Sequence, residues 1–211
     1  MLPDISSCIR HDRYYLPWRT LSLTLLAILL YWLIGAIPDE LVLNRDGIAQ
    51  GEWWRMISGH WVHSDAQHAV WNITALLLLG ALFEPVLKQR IWSDLLIASF
   101  LLSIWVMVYM PELAAYCGLS GILNTLLVSG SLTLWQQRRI ITLLIIPVLA
   151  FFKSVVELYQ HQAIFTHTAW PSVPEAHLVG MGIGLLLFFM HNRQQQTGKT
   201  DRLLLQDFDN S

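Results

Sequence analysis

Apolar runs of membrane-crossing length, cut by short polar turns, dominate this 211-residue chain and leave few folds open to it. A hydrocarbon core of roughly 30 Å needs about 20 apolar residues in helical form. Runs at 18–37, 68–87, 91–110, 119–135, 140–158 and 177–191 approach that length. The chain is 55% hydrophobic and only 13% charged, whereas soluble domains carry about 25% charged residues. The expected fold is therefore all-α: a polytopic membrane protein with a bundle of six transmembrane helices over residues 18–191. A cytoplasmic N-terminal segment at 1–17 and a polar cytoplasmic C-terminal tail at 192–211 flank it. The first run lacks a small-residue cleavage site and reads as a retained helix rather than a signal peptide.

Basic residues set the expected direction of the bundle. Of the 13 Lys and Arg, Arg10, Arg13, Arg19, Lys88, Arg90, Arg138, Arg139, Arg193, Lys199 and Arg202 fall on one side. Only Arg45, Arg55 and Lys153 fall toward the other. Cytoplasmic termini follow, with the two long connections, 38–67 and 159–176, on the outer side. Cys8 and Cys117 then lie on opposite sides of the membrane, so no disulfide framework is expected.

Two short strings carry chemistry. Gly118-Leu119-Ser120-Gly121 opens the fourth run, and Ala176-His177 opens the sixth. Both runs are short, and a helix that starts below the membrane surface needs its free end to face a water-filled cavity. A hydroxyl and an imidazole at one depth make a nucleophile and its base. Ser120 on a first helical turn has unpaired backbone N–H groups beside it, suited to a developing oxyanion. Read alone, Gly-Leu-Ser-Gly is also an ordinary loop-to-helix junction. His177 shares a helix face with Gly180 and Gly184, a small-residue stripe that lets membrane helices approach closely. Gly121, Thr125 and Ser129 form a matching stripe. Packing the stripes together would bring Ser120 and His177 together.

A third string, from Gly59 to Asn72, holds His60, His63, Asp65, His68 and Asn72. His68 and Asn72 lie on one helix face, and both can donate hydrogen bonds to an oxyanion. The alternative is a metal-dependent hydrolase built on His60, His63 and His68, with Asp65 as an optional further ligand. Their spacing matches no standard zinc pattern, so neither metal nor cofactor is expected. Lys153 and Glu157, four apart, read either as a structural ion pair or as the lining of a substrate entrance. Glu84 reads as a tie between the second helix and a neighbour. No internal repeat or buried acidic series suggests a transporter, and no nucleic-acid partner is expected.

With these pieces in this order, residues 47–191 resemble the rhomboid intramembrane serine proteases. The resemblance rests on Trp54-Arg55, His63, His68, Asn72, Glu84, Gly118-Leu119-Ser120-Gly121, and Ala176-His177-Leu178-Val179-Gly180 with Gly184. It implies a rhomboid-like six-helix bundle and a dyad: Ser120 as nucleophile and His177 as general base. It also implies an oxyanion hole of His68, Asn72 and the Ser120 amide, with His63 supporting the first outer loop. Asn124 departs from the pattern, where many rhomboids place an aromatic against the catalytic histidine.

The stretches 153–160 and 173–178, with 50–55, are similar to the rhombosortases, a bacterial rhomboid subfamily. That likeness implies exported substrates with a C-terminal Gly-Gly pair, a membrane helix and a basic cluster. Cleavage near the glycines would free the protein from its anchor, with transfer to another nucleophile as a variant outcome. It further implies a multi-pass protein of the bacterial inner membrane, in contact with lipid, whose active site opens to the periplasm. The alternatives are a general rhomboid protease of other single-pass proteins and a non-catalytic, rhomboid-like binder of membrane helices.

Overall fold

The computed structural model describes residues 15–160, 164 and 169–209, with 195–209 described by backbone alone. Cys8, Arg10 and Arg13 lie outside the described residues. Helix α1 spans Trp18–Ile34, and the connection that follows folds into two short helices, α2 (Arg45–Ala49) and α3 (Arg55–Ser58). Then come α4 (Ala66–Leu87), α5 (Arg90–Tyr109) and α6 (Ser120–Arg138). Helix α7 (Ile145–Gln160) is entered through a 3₁₀ turn at Ile141–Leu144, and α8 runs from Pro174 to Asp209. One small feature departs from the all-α expectation. Strands β1 (Leu43–Asn44) and β2 (Ala115–Tyr116) pair antiparallel, Leu43 opposite Tyr116.

Among the described residues, four helices are long and apolar enough to cross a membrane: Ala66–Leu87, Arg90–Tyr109, Ile141–Gln160 and Pro174–Gln194. The expected spans at 18–37 and 119–135 differ from them for physical reasons. Helix α1 is a shorter apolar helix that stops at Gly35, whose φ of 84° breaks the helical path. Helix α6 carries Asn124, Thr125, Ser129, Ser131 and Thr133 and is buried along most of its length. A central helix touches other helices rather than lipid, so it needs small packing groups more than apolar surface. The last span also differs: α8 begins three residues before His177 and continues through the expected polar tail to Asp209.

Burial differs from that of a soluble protein in where polar and apolar side chains can lie. Ser99, Ser103, Thr125 and Ser129 are fully buried, while Leu25, Trp32, Leu78, Leu149 and Phe152 lie on the surface. Lipid is as apolar as leucine, so van der Waals packing and interhelical hydrogen bonds hold the helices together. Thr125 Oγ1 donates to Gly180 O at 2.7 Å, joining α6 to α8. His191 Nε2 lies 2.9 Å from Asp94 Oδ1, joining α8 to α5.

Glu84 ties α4 to the start of α1. Its carboxylate accepts from the Thr20 amide and hydroxyl, both at 2.7 Å, from the Arg19 amide at 3.2 Å and from the Tyr15 hydroxyl at 3.0 Å. Pro17 offers no side-chain cap to α1, so the free N–H groups of its first turn find their acceptor on the neighbouring helix. Glu84→Ala strips every one of these donors of its partner. Its expected cost is about 2–4 kcal/mol, read as a lower thermal midpoint of the detergent-solubilised protein. An unchanged midpoint would dismiss Glu84 as a cap.

Candidate active site

The loop ahead of α6 is pinned before it reaches Ser120. The β1–β2 ladder holds Tyr116, and Gly118 N donates to Gly59 O at 3.0 Å. Gly118 has φ of 109°, a conformation that L side chains rarely adopt. A Cβ there would also lie 2.5 Å from the His68 ring. Only glycine meets both demands, and α6 therefore begins at Ser120 with the His68 imidazole against the turn.

Ser120 Oγ lies 3.0 Å from His177 Nε2. Close contact of α6 with α8 produces this distance. A Cβ on Gly180 would overlap Gly121 O, and one on Gly184 would lie 2.6 Å from Thr125 O. The two small-residue stripes thus face each other backbone to backbone. Gly121 itself meets Leu102, Tyr116 and the Ala176 carbonyl. The predicted pairing of helices and the meeting of hydroxyl and imidazole come from one interface.

His68 and Asn72 reach the same spot from α4. Asp65 caps that helix, its carboxylate accepting from the His68 amide at 2.8 Å. The Ser64 amide approaches His68 Nδ1 at 3.4 Å and the Ser64 hydroxyl at 3.0 Å. An amide donating to Nδ1 selects the tautomer with its proton on Nε2, the nitrogen beside Gly118. Asn72 Nδ2 is buried without a hydrogen-bond partner among the described residues. An orphaned donor costs about 1–3 kcal/mol, and this one shares a cavity of about 160 Å³ with Ser120, His68 and His177. Two side-chain donors and the Ser120 hydroxyl therefore converge on one small space.

The other two histidines of that string turn elsewhere. His60 is fully buried, with Nε2 at 3.0 Å from both Ser99 O and Ser103 Oγ. Burial lowers it to about 4, so it is neutral at neutral pH. His63 packs its ring edge-on against His68 at 5.2 Å. Neither of its ring nitrogens has a hydrogen-bond partner among the described residues, so the side chain supports the loop by packing, while the His63 carbonyl accepts from the Ile37 amide at 3.0 Å. Burial, aided by His68, lowers it to about 3. No group of three metal-binding side chains assembles among the described residues. Arg55 knits the loop from within, donating to Asp39 O and Val42 O while pairing with Glu52.

Lys153 and Glu157 approach from α7. Lys153 Nζ lies 2.6 Å from Glu157 Oε1, which also accepts from the Ile164 amide at 2.9 Å. Lys153 lines the Ser120 cavity. Glu157 Oε2 stands 3.9 Å from His177 Nδ1.

Several residues at the site escape a reading for chemistry. Trp71, Tyr116, Cys117 and Pro171 line the cavity, yet nothing in their spacing marks them. Burial, and then Asp65, push the Cys117 thiol up to about 12, which makes it a poor nucleophile. Asp65, considered in the sequence only as a metal ligand, carries the signal of a helix cap: it stands three residues before His68 at the head of an apolar run. It also accepts from the Ala169 amide at 2.7 Å, linking the approach to α8 with the start of α4. Burial raises its carboxyl, but these hydrogen bonds overcome that and hold it below its ordinary value.

Comparison with known proteins bears on this geometry. Residues 50–194 match the family described as the Rhomboid domain. The chain is similar to "Putative rhomboid protease YdcA" of Bacillus subtilis (strain 168), 28% identical over an alignment of 193 residues, with 82% of this chain and 88% of that protein covered.

Proposed function

This chain belongs to the rhomboid family of intramembrane serine proteases, and on that premise we propose that Ser120 is its nucleophile and His177 its general base. The observation that carries this reading is the 3.0 Å approach of His177 Nε2 to Ser120 Oγ. In the reaction, Ser120 Oγ bonds to the scissile carbonyl carbon while His177 Nε2 takes the hydroxyl proton. The oxyanion settles among His68 Nε2–H, Asn72 Nδ2–H and the Ser120 amide. Collapse of the tetrahedral species breaks the C–N bond, and His177 returns its proton to the leaving amine. Water then resolves the acyl-enzyme by the same route.

Substrates on this reading are single-pass membrane proteins with a C-terminal Gly-Gly pair, a membrane helix and a basic cluster. Likeness at 153–160 and 173–178 supports that choice, as does a cavity of about 160 Å³ bounded by Trp71 and Tyr116. Glycines leave a peptide bond unshielded and able to enter so small a space. An amine in place of water would give transfer rather than release. The same reading assigns the protein to the bacterial inner membrane, and the ten-to-three division of basic residues supports an active site toward the periplasm.

Labelling with a fluorophosphonate tests the nucleophile. Wild type is expected to label, and Ser120→Ala and His177→Ala to remain dark. A reporter ending in Gly-Gly, helix and basic cluster is expected to lose cleavage at least roughly tenfold when both glycines become valine. Equal cleavage of the two reporters would leave the protease and reject its proposed substrates.

A further inference from the structure

Helix α7 has its polarity reversed. Ile146, Leu149, Phe152 and Val156 lie on its surface, and its only buried residues are Ser154 and Glu157. A buried carboxylate in a membrane-spanning helix is expensive, and such groups are functional candidates by default. Glu157 is 1% exposed. One of its oxygens is fully used: Oε1 takes Lys153 Nζ and the Ile164 amide. The other, Oε2, is buried with no hydrogen-bond partner among the described residues. It faces His177 Nδ1 at 3.9 Å, while His177 Nε2 faces Ser120.

We propose that Glu157 is the positioning residue for His177, holding the imidazole by its Nδ1 side so that Nε2 meets Ser120. The inference rests on the Ser120–His177 reading and adds a third member, contributed by α7, to that pair. A base that must accept a proton at Nε2 has to carry its other proton on Nδ1. An acceptor on the Nδ1 side fixes that tautomer and stabilises the imidazolium formed during attack. At 3.9 Å the contact is too long for a hydrogen bond, and a shift of about 1 Å closes it. Catalytic hydrogen bonds are commonly long in the unliganded state and tighten with substrate. Lys153 and Ile164 hold Oε1, and so aim Oε2 at the ring.

This role differs from a bare ion pair in what it does to pH dependence. The charged and titratable groups facing His177 are Glu157 and Lys153 from α7, His68 from α4 and Ser120 from α6. A carboxylate beside the ring favours the imidazolium, and the neighbouring Lys153 ammonium opposes it. Labelling requires the neutral imidazole, so its rate falls as pH drops through the apparent pKa of the base. Removing the carboxylate moves that acid limb to lower pH and also misaligns the ring.

The test is the rate of fluorophosphonate labelling against pH for wild type, Glu157→Gln and the double variant Lys153→Met/Glu157→Gln. In Glu157→Gln the plateau rate is expected to drop roughly 10- to 100-fold, with the acid limb lower by roughly one pH unit. The double variant removes both charges of the pair. It is expected to stay as slow as the single, and it carries the same reading should the single variant not fold. A wild-type plateau and limb in Glu157→Gln overturn the proposal, as does recovery of the wild-type rate in the double variant. Either result leaves the Ser120–His177 reading intact. Failure of wild type itself to label overturns that reading, and this inference with it.

Discussion

Ser120→Ala and His177→Ala are each expected to abolish cleavage of a membrane-anchored reporter in proteoliposomes, with the double variant no slower than either single one. The expected loss is on the order of 10⁴- to 10⁶-fold in kcat, because nucleophile and base act as a unit and their contributions do not add. With the hydroxyl gone, the neighbouring thiol does not take its place. The Cys117 thiol lines the same cavity but is held almost wholly protonated. With the imidazole gone, the hydroxyl keeps its proton and is a weak nucleophile. The readout is the initial rate of fragment appearance per folded protein, with folding followed by tryptophan fluorescence. Wild-type cleavage by Ser120→Ala would end the proposed mechanism. A double variant much slower than both singles would mean that the two residues act independently.

Gly180→Val is expected to destabilise the fold more than any other single substitution at the α6–α8 interface. A Cβ at this position overlaps the backbone carbonyl of Gly121, and the next atoms it meets are the carbonyl carbon and the Asn124 side chain. Backbone cannot swing aside as a flexible side chain does, so α8 has to move away from α6. That movement breaks the Thr125 Oγ1 to Gly180 O hydrogen bond and opens the close approach at Gly184 and Thr125. Overpacking alone costs about 1–3 kcal/mol, and the lost hydrogen bond adds roughly 1 kcal/mol. His177 sits one turn earlier on α8, so the same movement draws its ring from Ser120. Thermal unfolding and fluorophosphonate labelling should therefore fail together. Gly182→Ala on the same helix is the control, since a Cβ there meets nothing within 4 Å. A Gly180→Val protein with wild-type midpoint and labelling would refute the backbone-to-backbone packing.

Much of this protein is readable from its residues. Apolar runs of bilayer length, with so few charges between them, leave helices as the way to satisfy backbone groups in lipid. The stripes Gly121/Thr125/Ser129 and Gly180/Gly184 identified the helices that meet, because helical periodicity alone decides which residues share a face. Four residues separate His68 from Asn72 and Lys153 from Glu157, and the same rule put each pair on one side. The element ends were less legible. The start of α8 at Pro174 rather than at His177, and its continuation to Asp209, depend on local turns that hydropathy does not register.

What the tertiary structure alone decided is distance between elements remote in sequence. The sequence allowed a hydroxyl and an imidazole at one depth; only the contact of α6 with α8 sets them 3.0 Å apart. Helical spacing set His68 on one face with Asn72, but nothing along the chain gave the directions of His60 and His63. Packing turned His60 toward Ser99 and Ser103, buried the His63 ring without a hydrogen-bond partner among the described residues and left His68 at the cavity. Nor could spacing tell a surface ion pair from a buried carboxylate aimed at His177. The physical reason is common to all three. Periodicity is a local property of one helix, whereas the direction and reach of a polar side chain depend on which other helix it packs against.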